Sequence, residues 1–429
     1  MNTRLIVRFL CLAIVASFSS LSSAQQAVSF AVSDKPIMPV GSVAQNKIKI
    51  AVLMPQQDNP LTVFANSIVN GIQAENSQQL TPYDIILLPR KNGQSALSHL
   101  QDAALMGASV AVGPITRDDV NEVSSLSFLP LPVVSLNLPY DGVASPELMM
   151  NFSLSQEEEA KQITAIAIKS LQPDENGMMP TVAIFESNSP LEHRIADTFA
   201  RELQTANIPF TRQTLTEELM AQPKFYNIEN SAVPKPRLEA LPDATEDPYG
   251  YQRVKLRNER LMAQYRAKVE FEEAPYQAAF LAMDARTAAL VKPRLPRTTR
   301  VWGTSMINPG SMEQNIAASF AYDLQNAGFV DSPLVVRYND SDFRASFGVN
   351  PPNSLLERRL FAFGVDAYRL ACAWMKWQSD IHMNGTTGDL SFKQGITADV
   401  VRIAQPATVL NGRVESTTAE QLTQPLQRP

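Results

Sequence analysis

The sequence predicts an α/β protein of two lobes, each a mainly parallel sheet flanked by helices. Three observations carry that expectation. Apolar strands of five to seven residues alternate with helical patterns of ten to fifteen, the signature of βαβ units. The alternation runs twice, before and after Met149, and a late segment returns after the last long helix. Of 429 residues, 45% are hydrophobic and 19% charged, which suffices for packed cores and is too apolar for wholesale disorder.

The first elements are an address. Arg4 and Arg8 precede an apolar run from Phe9 to Phe18, and Ser22-Ser23-Ala24 supplies the small residues of a cut site, so residues 1–24 read as a cleavable secretory signal. The apolar run is too short to span a bilayer, and no later run is long enough, so no transmembrane segment is expected. Cleavage removes Arg4, Arg8 and Cys11, takes the formal charge from −6 to −8, and leaves Cys372 alone on an apolar helical pattern. Arg8-Phe9-Leu10 lack the small residues that lipid attachment at Cys11 requires. The expected location is the periplasm, as a monomer.

After an extended lead-in at 25–46, holding Pro36, Pro39 and Gly41, Ile48–Met54 forms the first strand and Leu61–Ala74 the first helix. Strands at Tyr83–Leu88, Ser109–Gly113 and Leu131–Leu136 alternate with helices at Ser95–Met106 and Thr116–Leu126. Ser155 with Glu158 three residues on forms a capping box at the head of the second series. Strands at Thr181–Phe185, Ala278–Met283 and Arg300–Ser305 follow, with helices after Pro190 and Asp284. Ala221–Glu273 interrupts this rhythm. Its first half holds Pro223, Pro234, Pro236 and Pro242; its second half is a charged helical pattern, and the whole reads as a surface insertion offering a docking surface. Leu355–Trp377 is the last long helix, Gly385–Phe392 a turn into a strand, Ile396–Ile403 and Ala407–Leu410 two further strands, and Gln421–Pro429 a frayed tail. The lobes are expected at 47–150 with 300–395, and at 151–299 with 396–420.

Composition removes several functions. A net charge of −6 disfavours nucleic acid, whose phosphates require a surplus of Lys and Arg. Two cysteines and three histidines leave no material for a Cys/His zinc site, an iron–sulfur cluster or a disulfide-stapled scaffold. His99, His193 and His382 sit in helical or loop contexts without a Gly-x-Ser-x-Gly elbow or catalytic-cysteine signature, and neither a dinucleotide fingerprint nor a phosphate loop is present. No catalytic residue, metal ligand or cofactor is expected, and the protein is read as a non-enzyme.

Several segments together resemble a known family. They are Ile50–Pro55, Val112-Gly113-Pro114-Ile115, Pro132–Asn137, Asn151–Ser155, Asp284-Ala285-Arg286 with Ile307, the helix Arg358–Leu370, and Gly385-Thr386-Thr387-Gly388-Asp389-Leu390. Over Lys47 to Val414 the chain is similar to the type I periplasmic-binding-protein, or Venus-flytrap, superfamily. Within it the chain resembles the penicillin-binding protein activator (LppC-like) family of outer-membrane lipoproteins. That resemblance implies a non-catalytic regulator of peptidoglycan biosynthesis, partnered by a class A penicillin-binding protein. Two features depart from the family: no lipobox is read, and only about twenty residues separate the signal from the first strand, where longer members carry a helical-repeat domain.

In open α/β sheets ligands bind at the carboxyl ends of strands, where helix N-termini offer free N–H groups. On a flytrap these ends are Gln57, Asp58, Thr116, Ser135 and Asn137 in the first lobe, and Ser187, Asn188, Asp284 and Ser305 in the second. The same residue types serve as helix N-caps. Bulky Gln56-Gln57-Asp58 after the first strand points away from an amino-acid ligand and toward protein docking. A solute-binding protein for a small polar ligand is the alternative.

Overall fold

Ile50-Ala51-Val52-Leu53-Met54 is apolar at every position, and the strand it forms is buried on both faces, as a central parallel strand must be. The computed structural model describes residues 47–424 apart from 57–58, 174–175, 229–230 and 312–313. The signal, the lead-in and residues 425–429 of the expected tail lie outside the described residues.

The order begins with β1 (Lys49–Met54), α1 (Thr62–Ser77), β2 (Asp84–Pro89), α2 (Ala96–Leu105), β3 (Val110–Val112), α3 (Arg117–Ser124), β4 (Val133–Ser135) and β5 (Met149–Asn151). Next come α4 (Gln156–Ile168), β6 (Val182–Glu186), α5 (Pro190–Thr205), β7 (Phe210–Thr214), α6 (Glu217–Ala221) and α7 (Pro248–Glu272). They are followed by β8 (Ala278–Ala282), α8 (Ala285–Val291), β9 (Arg300–Gly303), α9 (Gln314–Asp323) and β10 (Gly328–Asp331). The remainder is α10 (Pro333–Val336), α11 (Asp340–Phe347), α12 (Leu355–Met375), β11 (Asp380–Asn384) and β12 (Asp389–Lys393). It ends with β13 (Val401–Ile403), β14 (Gln405–Leu410), β15 (Arg413–Ser416) and α13 (Ala419–Thr423).

Two units result, each assembled from separate stretches of chain: residues through Ser155 with Asp331–Gln405, and Gln156–Val330 with the residues from Pro406 onward. In the first, a five-stranded sheet of order β2-β1-β3-β4-β5 is parallel throughout. One face packs its Ile50, Val52, Val110, Val112 and Val134 against α1 and α12. The other buries Ala51, Leu53, Ala111 and Val133 under α2 and α3. An antiparallel sheet of order β11-β12-β13 adds Ile381, Leu390 and Phe392 to the first of these cores. Trp374 meets Phe392 edge-on at 5.3 Å, a contact worth about 1 kcal/mol beyond area burial.

The resemblance-bearing helix is explained by this packing. Helices α1 and α12 cross so closely that a methyl built on Gly364 would overlap the Ile68 carbonyl, and one on Gly71 would overlap that of Phe361. Around the crossing, Tyr368 Oη donates to Asn76 Oδ1 at 2.8 Å and Arg369 bonds both Glu75 oxygens at 2.9 and 3.1 Å. Asp366, fully buried, accepts from the backbone N–H and hydroxyl of both Thr386 and Thr387 at 2.6–3.0 Å. Burial pushes its carboxyl above the ordinary range, against the pull of these donors and Arg369. Cys372, expected in the core, is half-buried at its margin, and burial pushes its thiol up.

The second unit has a seven-stranded sheet of order β15-β14-β10-β9-β8-β6-β7. From β10 through β7 every pairing is parallel, and β14–β15 is antiparallel. Phe199 on α5 packs on Phe280 of β8 at 5.1 Å.

Several expectations shift. Residues 300–330, expected in the first lobe, belong to the second unit because β9 pairs in register with β8, Ala278 opposite Arg300. Residues 396–405 go the other way, because Asp399 bridges Asn151 and β13 pairs with β12. The strand expected over Ile396–Ile403 is confined to Val401–Ile403, since the Ile396 and Thr397 N–H groups both turn back to the Lys393 carbonyl. The expected tail begins as a capped helix: Thr418 and Gln421 form a capping box, and Leu422 is buried. Strands β5, β7, β10, β11 and β15 are not among the expected elements. Phe-Thr-Arg-Gln-Thr of β7 is mostly polar and none of its residues is fully buried, so it carries no apolar run to read.

Candidate functional site

Every strand of a parallel sheet points its carboxyl end to one edge, so polar residues just beyond those ends gather there regardless of their spacing in sequence. The structure places the expected residues at such edges, in two separate groups. In the first unit they are Thr116, Ser135 and Asn137; Gln57 and Asp58 lie outside the described residues. In the second they are Ser187, Asn188, Asp284 and Ser305.

Most are already engaged. Thr116 Oγ1 accepts from Asp119 N at 3.1 Å and caps α3; Asp284 accepts from Thr287 N at 2.9 Å and from its hydroxyl at 3.1 Å, capping α8. Ser135, fully buried, donates to Asn151 Oδ1 at 2.8 Å and is within 2.9 Å of the Asn137 carbonyl. The Asn137 amide donates to Ile115 O at 3.2 Å, tying two strand ends together. Ser305 Oγ accepts from Gln156 Nε2 at 3.0 Å, and its N–H donates to Glu159 at 2.9 Å. Ser187 differs: its Oγ is buried and has no hydrogen-bond partner among the described residues.

Beside Ser187 the second unit holds an ionic cluster that sequence reasoning missed. Glu186, at the end of β6, accepts from Arg212 at 2.7 and 2.8 Å, His193 Nδ1 lies at 2.8 Å, and Thr214 Oγ1 donates at 3.0 Å. Burial works to raise the Glu186 carboxyl, but these bonds outweigh it and hold it below the ordinary range. His193 Nε2 faces Asn188 Oδ1 at 3.2 Å, and Arg212 also pairs with Asp197 at 2.5 Å. Glu192, buried on α5, is pushed up, chiefly by burial. The missing signal was Arg212, which sits on β7.

Glu186, His193 and Arg212 are thus all hydrogen-bonded within one network. His193 is occupied by a carboxylate and an amide, His99 by the Leu88 carbonyl at 2.9 Å, and His382 by Asp380 at 3.0 Å. Among the described residues no group of three His, Cys, Asp or Glu is arranged to hold a metal ion.

In the first unit a concavity of about 580 Å³ is lined by Glu75, Arg337, Tyr338, Phe347, Arg369 and Thr386, among others. Its charges are partly paired within the unit: Arg369 with Glu75, and Arg337 with the Gln405 side-chain oxygen. Among the described residues no helix is long and apolar enough to cross a membrane.

Parallel sheets built from non-contiguous chain, with polar groups at the strand ends, define the class: a type I periplasmic-binding-protein-like α/β protein. Solved structures share the fold. A protein described as a "putative branched-chain amino acid ABC transporter" from Chromobacterium violaceum matches with a TM-score of 0.58 and 21% identity, over 84% of this chain and 100% of that one. The C-domain of LpoA from Haemophilus influenzae, described as a regulator of PBP1A, matches with a TM-score of 0.58 and 15% identity, over 86% of this chain and 100% of that one.

The sequence narrows the class. The family model described as "LppC putative lipoprotein" matches residues 243–402. The penicillin-binding protein activator LpoA of Aliivibrio fischeri is 23% identical over 317 residues, 66% of this chain and 43% of that protein. The chain is LppC-like, and it spans less than half the length of that curated relative.

Proposed function

We propose that the protein is a non-catalytic periplasmic regulator that activates a peptidoglycan synthase of the penicillin-binding type by docking to it. The observation that carries the reading is the likeness to the activator LpoA across 317 residues, together with the LppC match over residues 243–402. The site chemistry is in keeping with it: Glu186, His193 and Arg212 bond one another and Asp284 caps a helix, so these strand-end groups serve the fold. The test is to mix the protein from Gln25 onward with a class A penicillin-binding protein from the same cell and to follow complex formation and transpeptidase rate. A complex with a raised rate is expected. Absence of a complex at high micromolar concentration sinks the reading.

A second reading, a small polar ligand such as an amino acid held for a transporter, is favoured by the buried, unpartnered Ser187 Oγ at a strand end. A rise in melting temperature with an added amino acid supports it, and an unchanged melt across the set removes it.

A further inference from the structure

Helix α7 is the longest in the described chain, 25 residues. It is held from one side only. Gly250 and Val254 are buried, and Tyr251, Asn258, Leu261, Tyr265 and Val269 are half-buried, repeating every three or four residues. Its bonds come from that side or from its ends. Asp247 caps it through Gly250 N at 2.8 Å, Asn258 exchanges bonds with the Glu239 backbone at 2.8 and 3.0 Å, and Tyr226 Oη donates to Glu270 at 2.6 Å.

The opposite face is different in kind. Tyr249, Arg253, Leu256, Arg260, Ala263 and Ala267 follow the same three-and-four spacing and are all exposed, Tyr249 at 89% and Leu256 at 62%. At about 1.5 Å per residue this stripe runs about 27 Å. Among the described residues Arg253 and Arg260 have no acidic partner within 4 Å, and neither have the flanking Lys255 and Arg266. The cations that do pair, Arg257 and Lys268, lie off the stripe.

Charge decides what this face fits. The helix carries six Arg or Lys against three Glu, two of them in its last three residues, on a chain whose formal charge is −6. Such a face attracts an acidic surface and repels a basic one. Arg and Tyr are also the residues that anchor protein interfaces. A membrane surface requires a continuous apolar face to sink among lipids. Here the apolar side is spent inward, and one leucine and one tyrosine are left outward. The LppC match begins at residue 243, so the helix lies wholly inside the family-matching segment rather than in an unrelated excursion.

Resting on the activator reading and deepening it, we infer that the outward Tyr249–Arg253–Leu256–Arg260 face of α7 is the docking element, received by an acidic surface of the synthase. Association is then salt-sensitive, falling as ions screen the arginines.

The experiment compares the protein with the double variant Arg253→Glu/Arg260→Glu and with Arg344→Glu/Lys376→Glu, a control of equal charge change on the first unit. Binding to the class A penicillin-binding protein is measured at two salt concentrations, with thermal melting to verify folding. The helix variant is expected to melt normally, to bind at least about tenfold more weakly and to lose most of its salt dependence, while the control keeps wild-type affinity. If the wild type binds and both variants bind equally well, or equally poorly, the α7 assignment is overturned and the activator reading stands. If the wild type does not bind, both fall. If the wild type sediments with phosphatidylglycerol vesicles and the helix variant does not, with synthase binding unchanged, α7 is a membrane element and the inference fails.

Discussion

At the scale of single residues, Asp366 does the most with the least exposure. Its two oxygens take four donors from Thr386 and Thr387, so one carboxylate on α12 holds the hairpin turn between β11 and β12. Removing it strands two backbone N–H groups in the interior, where each unsatisfied donor costs about 1–3 kcal/mol. Asp366→Ala is therefore expected to lower unfolding free energy by about 3 kcal/mol in urea, and Asp366→Asn, which retains one acceptor oxygen, by less. A loss under about 1 kcal/mol for the alanine variant would show that the turn is held elsewhere. Strand-end residues show the converse lesson. Thr116 and Asp284 sit where a ligand would bind, yet their side chains cap helices, which is the local demand those positions already make.

At the scale of elements, the crossing of α1 and α12 rests on two glycines facing opposite backbones. A β-carbon at Gly364 meets the Ile68 carbonyl, a backbone atom that cannot turn aside. Gly364→Ala should force the helices apart and cost about 3 kcal/mol, the upper part of the range for overpacking. A thermal melt within a degree or two of wild type would refute that. The conservative-looking substitution is thus the disruptive one. Glu75–Arg369 and Asn76–Tyr368, on the same two helices, hold the register of the crossing.

At the scale of the whole molecule, each unit borrows strands from a distant part of the chain. The second completes its sheet with β14 and β15, and α13 brings Leu422 against Gly328 while Arg300 bonds the Leu422 and Thr423 carbonyls. A chain ending at Gln405 lacks all three elements and leaves the β10 edge, with Phe329 and Val330, uncovered. Limited proteolysis of that truncated chain should cut within 156–330 well before it cuts 47–155 or 331–405. Equal resistance of both units would mean that the returning strands add little.

How much of this was legible depended on whether the deciding interaction is local. The sequence by itself determined the alternation of strands and helices, the parallel character of both sheets, the long helix from Leu355 and the LppC-like resemblance, because side-chain periodicity and run length are properties of neighbouring residues. Tertiary structure alone decided that Arg300–Gly303 joins the second sheet, that Arg212 reaches Glu186, and that the charged helix from Pro248 presents one bare basic face. Those outcomes depend on pairing between residues tens to hundreds of positions apart, and no local pattern records which distant partner satisfies a strand edge or a buried charge.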